Sequence, residues 1–154
     1  MNMKTKNIFL ITLIFILAAS FVFSEEGENI FPPRAIINAS YVGDDKMVIE
    51  ILAAGGVDKD IRDALGATAL HVATLHPNLM VVKILLDYGF DPNARAEKNG
   101  NTPLHYAVAA NNIGAARLLL QYYANKNIRN LEGLTPLDQA RKEGKDEMIK
   151  LLYR

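Results

Sequence analysis

Cysteine and tryptophan are both absent from the 154 residues, and the formal charges cancel because 17 basic side chains stand against 17 acidic ones. Without cysteine the chain has no disulfide, no thiolate nucleophile, no iron–sulfur cluster and no cysteine-ligated zinc. Without a net positive charge it lacks the electrostatic field with which proteins attract nucleic acid. We therefore expect neither a disulfide-stabilised domain nor a nucleic-acid partner.

The motifs of common enzyme classes are also missing. After residue 24 the only serine is Ser40, and no Gly-x-Ser-x-Gly turn surrounds it. No Gly-x-Gly-x-x-Gly or Walker-type loop is present to hold a nucleotide phosphate. The histidines are His71, His76 and His105, and a spacing of five residues does not place His71 and His76 on one helical face. We expect a protein that is not an enzyme and has neither metal nor cofactor, with a carboxylate and histidine enzyme as a remote alternative.

Apolar residues are concentrated at the N-terminus. Lys4 and Lys6 precede residues 8–23, a run of sixteen residues with only two polar side chains. A positive start, a short apolar run and a small residue at the exit are the pattern of a secretory signal peptide. We predict a signal peptide over residues 1–24 and a short linker over residues 25–33. A retained membrane anchor is the alternative, although a spanning helix needs about 20 apolar residues.

An internal repeat fills the rest of the chain. Residues 66–73 read GATALHVA, residues 100–107 read GNTPLHYA and residues 133–140 read GLTPLDQA, so their first glycines are 34 and 33 residues apart. A second segment repeats at the same period. It consists of pairs of isoleucine or leucine that begin at Ile51, Ile84, Leu118 and Leu151.

These segments resemble the ankyrin repeat, whose period is about 33 residues and whose signature is Thr-Pro-Leu-His-x-Ala. The resemblance covers residues 34–154. It implies an all-α solenoid of about four stacked helix–turn–helix repeats with projecting hairpin loops. The four copies are residues 34–63, 64–98, 99–131 and 132–154. The first copy is degenerate before Met47, as expected of an end repeat that faces water on one side.

Local signals indicate helices independently of the resemblance. Thr102 followed by proline is typical of a helix start, because threonine caps free amides and proline fits the first turn. Gly56 and Gly89 end second helices, where a left-handed conformation favours glycine. The third copy has Tyr123 at that position and Gly114 inside its second helix, each costing about 1 kcal/mol. We therefore predict that the third repeat is the least regular.

We assign a structural role to two sets of residues that occupy corresponding positions in successive repeats. The threonines cap the first helices, and the resemblance implies that the histidine three positions later hydrogen-bonds to the neighbouring loop. In the fourth copy aspartate replaces this histidine. The set consists of Thr68, His71, Thr102, His105, Thr135 and Asp138.

The resemblance also implies a concave face, made by first helices and hairpin tips, that binds other proteins. Transferred position by position, the helices contribute Val72, Leu75, His76, Tyr106, Ala109, Ala110, Gln139, Lys142 and Glu143. The tips contribute Arg62, Arg95, Glu97, Lys98 and Arg129. An apolar centre with a charged margin suits an interface. In the alternative interpretation, Val72 and Leu75 merely pack between repeats.

The sequence therefore predicts an exported, monomeric scaffold that is not an enzyme and binds a protein in the periplasm or outside the cell. A membrane-tethered structural protein, with residues 8–23 retained as an anchor, is the alternative.

Overall fold

The computed structural model describes residues 31–153, so the predicted signal peptide lies outside the described residues. Within residues 31–153 the regular structure consists of helices alone. The helices are α1 (Ala35–Val42), α2 (Asp45–Ala54), α3 (Ala69–Ala73), α4 (Leu79–Asp87), α5 (Pro103–Ala109), α6 (Ile113–Gln121), α7 (Pro136–Lys142) and α8 (Asp146–Tyr153).

The helices form two layers. Helices α1, α3, α5 and α7 contact one another in chain order, and we call them the inner helices. Helices α2, α4, α6 and α8 do the same and are called the outer helices. Each inner helix also packs against the outer helix that follows it. This arrangement confirms the predicted all-α repeat solenoid with four helix pairs.

A continuous hydrophobic core lies between the two layers. Each outer helix contributes buried aliphatic residues, and one of them recurs at the repeat period: Ile51, Leu85, Leu119 and Leu152. The inner helices contribute alanines with no exposed surface, which allow close approach: Ala73, Ala107 and Ala140. A single helix pair would leave this apolar side in water, so the repeats stabilise one another by stacking.

The turns between inner and outer helices join neighbouring repeats. Asp44, Asn78 and Asn112 each accept a hydrogen bond from an amide in the first turn of an outer helix, at 3.0, 3.1 and 3.0 Å. The Asn78 Nδ2 also donates to the Gly43 carbonyl at 2.9 Å, and the Asn112 Nδ2 donates to the Thr74 carbonyl at 3.0 Å. One side chain thus caps its own helix and satisfies a carbonyl of the preceding repeat.

The hairpin loops are joined through their backbones. The Glu97 amide donates to the Gly66 carbonyl at 3.2 Å, and the Leu131 amide donates to the Asn99 carbonyl at 2.9 Å. Gly66 has φ +76°, and a Cβ at this position would lie 2.6 Å from the Glu97 backbone nitrogen. Glycine is therefore required here for both the left-handed conformation and the close approach of the next loop.

The first repeat contains two complete helices although its sequence is degenerate before Met47. Ile36, Ile37 and Ala39 of α1 are buried against the stack, and Gly43 ends the helix at φ +73°. Burial of this face compensates for the missing threonine cap, since packing supplies most helical stability in proteins.

The third repeat has the predicted irregularity at Tyr123, which adopts φ +63°. This confirms a non-glycine residue in the left-handed region. Gly114 has a role that helix propensity does not show, because a Cβ there would lie 2.5 Å from Leu79 Cδ1. The glycine lets α6 pack closely against the start of α4.

Candidate protein-interaction face

The two signature histidines connect successive repeats. His71 Nδ1 accepts a hydrogen bond from the Thr68 amide at 3.1 Å, so the ring proton resides on Nε2. Nε2 donates it to the Asn101 carbonyl at 3.0 Å in the next hairpin. His105 repeats the arrangement, with the Thr102 amide at 3.2 Å and the Leu134 carbonyl at 3.0 Å. Both ring nitrogens of each histidine therefore have protein partners.

Burial keeps these histidines neutral. It lowers the pKa of His71 from 6.5 to about 4, because the charged ring would lose its hydration, although the bond to Asn101 opposes the change. Burial is also the largest cause of the lowered pKa of His105. No cluster of three or more histidine, aspartate and glutamate side chains with metal-binding geometry occurs in residues 31–153.

The fourth repeat builds the same cap with aspartate. The Thr135 amide donates to Asp138 Oδ2 at 3.2 Å, and the Asp138 amide donates to Thr135 Oγ1 at 3.1 Å. Arg129 Nη1 also donates to Asp138 Oδ2 at 3.3 Å. Hydrogen bonding of the Asp138 carboxyl to Thr135 is the largest cause that holds its pKa below the ordinary value, and the charge of Arg129 acts in the same direction.

The C-terminal ends of the inner helices, together with the one to three residues that follow them, present two rows of residues, which we call the inner-helix rows. One row is Tyr41, Leu75, Ala109 and Lys142, and the other is Val42, His76, Ala110 and Glu143. All are exposed except His76, which is half-buried against Gly43. The rows change from large apolar side chains in the first repeats to charged ones in the last.

Sequence reasoning missed Tyr41 and Val42, which are both 62% exposed. The signal that could have found them is their position, 34 residues before Leu75 and His76. The degenerate sequence of the first repeat concealed this correspondence.

One turn earlier on the inner helices the structure is less accessible. Val72 and Gln139 are 5% and 7% exposed, so they present little surface to a partner. For Val72 this agrees with the alternative that it packs between repeats. Tyr106 is half-buried. The centres of the Tyr106 and His71 rings are 5.0 Å apart, and the two ring planes meet at 73° in an edge-to-face contact. Leu75, by contrast, is 41% exposed.

The basic hairpin tips are partly engaged in the loops themselves. Arg62 Nη1 donates to the carbonyls of Gly66 at 3.0 Å and Arg95 at 2.9 Å. Arg129 Nη1 donates to the Gly133 carbonyl at 2.7 Å. The side chains of Arg95, Glu97 and Lys98 are exposed at the tip of the middle hairpin. Two of the three arginines therefore also stabilise the hairpins.

Comparison with known proteins agrees with this architecture. A family model described as ankyrin repeats (3 copies) matches residues 35–130 and 97–154. The chain belongs to the ankyrin-repeat family. Stacked repeats of such families form extended binding surfaces, and ankyrin repeats mediate binding to other proteins.

Curated ankyrin-repeat relatives occur in several organisms. The putative ankyrin repeat protein FPV031 of fowlpox virus (strain NVSL) is 37% identical over 130 residues, 81% of this chain and 37% of that protein. The tyrosine-protein kinase Shark of Drosophila melanogaster is 34% identical over 115 residues, 74% of this chain and 12% of that protein. The B-cell lymphoma 3 protein homolog of Mus musculus is 34% identical over 107 residues, 70% of this chain and 24% of that protein. The chain thus spans between 12% and 37% of the length of these relatives.

Proposed function

We propose that this ankyrin-repeat chain is an exported scaffold that is not an enzyme and holds another protein against its inner-helix rows. The observation that carries the proposal is the exposure of Tyr41, Val42 and Leu75, at 62%, 62% and 41%, at or just after the ends of adjacent inner helices. Large apolar side chains that face water at neighbouring positions gain from burial by a partner.

The chemistry of the rows suits a protein partner. Tyr41 offers a rigid ring with a polar tip, the type of side chain that dominates binding energy in many interfaces. The far end of the rows is polar, where Lys142 Nζ donates to Glu132 Oε2 at 2.9 Å. An aromatic anchor with a polar margin is the usual anatomy of an interface.

The inner helices are also held in place before any partner arrives. The bond from His71 Nε2 to the Asn101 carbonyl joins the second repeat to the third. The bond from Asn78 Nδ2 to the Gly43 carbonyl joins the first repeat to the second. A surface fixed in advance loses little conformational entropy on binding, so more of the contact energy appears as affinity.

Export rests on the N-terminal sequence, with Lys4 and Lys6 before the apolar residues 8–23. None of the helices within residues 31–153 is both long and apolar enough to cross a bilayer. Intact-mass analysis of the protein expressed in its source cells tests the proposal, since cleavage removes residues 1–24. A full-length mass in the membrane fraction would favour the tethered alternative.

The binding face is tested by capture with the full-length chain, tagged at its C-terminus, from the cell-envelope fraction of its source. A protein captured by the wild type is purified, and its dissociation constant is measured for Tyr41→Ala and Tyr153→Ala. Tyr153 is the matched control, because it is exposed at the end of the outer helix α8. We expect Tyr41→Ala to weaken binding at least about tenfold and Tyr153→Ala to leave it unchanged.

Two results would contradict this assignment. Either equal affinities of the Tyr41→Ala variant and the wild type, or an equal loss in both variants, would remove the inner-helix rows from the interface. Tyr106→Ala is less suitable as a test, because Tyr106 packs against the His71 ring and the substitution would also remove this contact within the fold.

A further inference from the structure

The middle hairpin, the loop between α4 and α5, carries a chemically reactive pair of residues. Asn99 is followed directly by Gly100, and no other asparagine of the sequence precedes a glycine. In such a pair the backbone nitrogen of the glycine can attack the side-chain carbonyl carbon of the asparagine, because glycine has no Cβ to obstruct the approach. Whether Asn99 reacts therefore depends on how the hairpin holds these two groups.

The fold requires glycine at position 100 but does not require asparagine before it. Gly100 has φ +68°, and a Cβ there would lie 3.0 Å from the backbone nitrogen of Leu131 in the last hairpin, the loop between α6 and α7. In the first and last hairpins the equivalent glycine follows Leu65 and Glu132. Asparagine at position 99 therefore needs an explanation within the middle hairpin itself.

In the first and last hairpins, the amide that follows the glycine is bound by a side chain four residues earlier. The Ala67 amide donates to Asp63 Oδ1 at 2.9 Å. The Leu134 amide donates to Asn130 Oδ1 at 3.0 Å. Each hairpin thus satisfies a backbone donor with a side chain of its own.

The middle hairpin satisfies the same donor differently. Ala96 occupies the place of the acceptor residue, since its amide donates to the Asn101 carbonyl at 2.8 Å as the Asp63 amide donates to the Ala67 carbonyl at 3.0 Å. Alanine offers no side-chain oxygen, and the Asn101 amide donates instead to Asn99 Oδ1 at 2.9 Å. This substitution of one acceptor for another explains the asparagine directly before the required glycine.

The closed hairpin holds both reacting groups. The Gly100 amide donates to the Ala96 carbonyl at 2.8 Å, and this bond retains the proton that the nitrogen has to lose before it attacks. The Asn99 side chain is held by the Asn101 amide and also hydrogen-bonds to the Tyr106 phenol. Closure of a ring between the two groups has to break these bonds.

The last hairpin reinforces this arrangement. The Leu131 amide donates to the backbone carbonyl of Asn99 at 2.9 Å. Separation of the last hairpin from the middle one removes this bond, and loops open locally at a smaller cost in free energy than the packed helices.

We propose that Asn99 is a site of spontaneous deamidation, which the closed middle hairpin suppresses and which release of the last hairpin permits. The Gly100 nitrogen loses its proton to water and forms a bond to Asn99 Cγ. The bond from Cγ to Nδ2 breaks, and Nδ2 takes up a proton and leaves as ammonia. Water then opens the five-membered imide at either carbonyl, which gives aspartate or isoaspartate.

The isoaspartate product does not fit the closed hairpin. Its main chain runs through the former Cγ, so the backbone is one carbon atom longer and the original carbonyl of Asn99 leaves the main chain. The bond from the Leu131 amide and the bond from His71 Nε2 to the Asn101 carbonyl both depend on the present backbone. Deamidation thus converts a temporary opening into a lasting loss of contacts between repeats.

The test compares the rate of deamidation in the folded and unfolded full-length chain at one mildly alkaline pH, the second sample in guanidinium chloride. Digestion after arginine gives the peptide of residues 96–117, in which replacement of NH₂ by OH is located by mass spectrometry and isoaspartate by electron-transfer fragmentation. We expect Asn99 to react at least about tenfold more slowly in the folded chain, since the bonded hairpin reacts only from its open state. Asn125, which precedes a lysine, is the internal control and should stay unmodified in both samples.

A matched pair of variants tests the role of the last hairpin. Leu131→Pro removes the amide that binds the Asn99 carbonyl, whereas Leu131→Ala keeps it. In the folded state we expect Leu131→Pro to react about fivefold faster than Leu131→Ala, the factor by which a typical hydrogen bond changes an equilibrium. Should circular dichroism show that Leu131→Pro does not fold, Tyr106→Phe takes its place and is also expected to react faster than the wild type.

The proposal is overturned if Asn99 stays unmodified in guanidinium chloride, if it reacts equally fast in the folded and unfolded wild type, or if Asn125 reacts as fast. Equal rates for folded Leu131→Pro and Leu131→Ala would also overturn it. The isoaspartate form, separated by ion exchange, should have a lower thermal midpoint than the wild type. An unchanged midpoint would contradict the lasting loss of contacts.

Discussion

Acid should unfold this protein partly through His71. In the folded chain its pKa is lowered from 6.5 to about 4 by burial, while the unfolded chain retains the ordinary value of 6.5. Above pH 6.5 the ring is neutral in both states, so this group contributes no pH dependence. Between pH 6.5 and about 4 the unfolded chain binds a proton that the folded chain excludes. The free energy of unfolding therefore falls as the pH falls through this interval.

The size of the effect follows from the difference of about 2.5 between the two pKa values. At ~1.4 kcal/mol for each pKa unit, the loss is about 3 kcal/mol by pH 4. His105 acts in the same direction because burial also lowers its pKa. For a domain with the usual 5–15 kcal/mol of total stability, such a loss is a large fraction.

Urea denaturation followed by circular dichroism at pH 7, 6, 5 and 4 measures this loss. The wild type is compared with His71→Gln. The slope of the unfolding free energy against pH should be smaller in this variant, by the equivalent of at most one bound proton. Leu119→Ala, which destabilises the fold but keeps His71, is the control and should retain the wild-type slope. Identical slopes for wild type and His71→Gln, or an NMR titration of the folded His71 ring near pH 6.5, would refute the reasoning.

Two further predictions concern stability. Leu119→Ala empties a fully buried site in α6 and should lower the free energy of unfolding by about 2–5 kcal/mol, whereas Leu131→Ala at an exposed hairpin tip should change it little. Equal urea midpoints for these two variants would show that the stack does not bury Leu119. Tyr123→Gly should raise the thermal midpoint, because glycine adopts φ +63° without the cost of ~1 kcal/mol that a tyrosine has there. The side chain that is lost is 90% exposed, so its removal sacrifices little packing. A smaller rise is expected for Asn111→Gly, since asparagine tolerates its φ of +53°. A lower thermal midpoint for Tyr123→Gly than for the wild type would contradict the strain argument.

Short-range chemistry explains what the sequence by itself determined. The period of 33 or 34 residues, the threonine caps and the aliphatic pairs specify helices that must stack, and each signal lies within a few neighbouring residues. Even the left-handed conformation of Tyr123 follows from its place in the period, where other repeats have glycine. Such features are visible in one chain because backbone preference and helix capping act locally.

Only the tertiary structure decided which inner-helix residues a partner can reach. Val72 is buried and Leu75 exposed although they lie three positions apart, because exposure depends on what the adjacent repeat covers. Tyr41 is recognised as a surface residue only from the structure, which shows that the degenerate first segment forms helix α1. Within residues 31–153 the buried side-chain oxygen of Gln139 has no hydrogen-bond partner, because Glu143 binds the nitrogen of the same amide. Local patterns determine the helices, whereas burial and unpaired polar atoms are decided by contacts between parts distant in sequence.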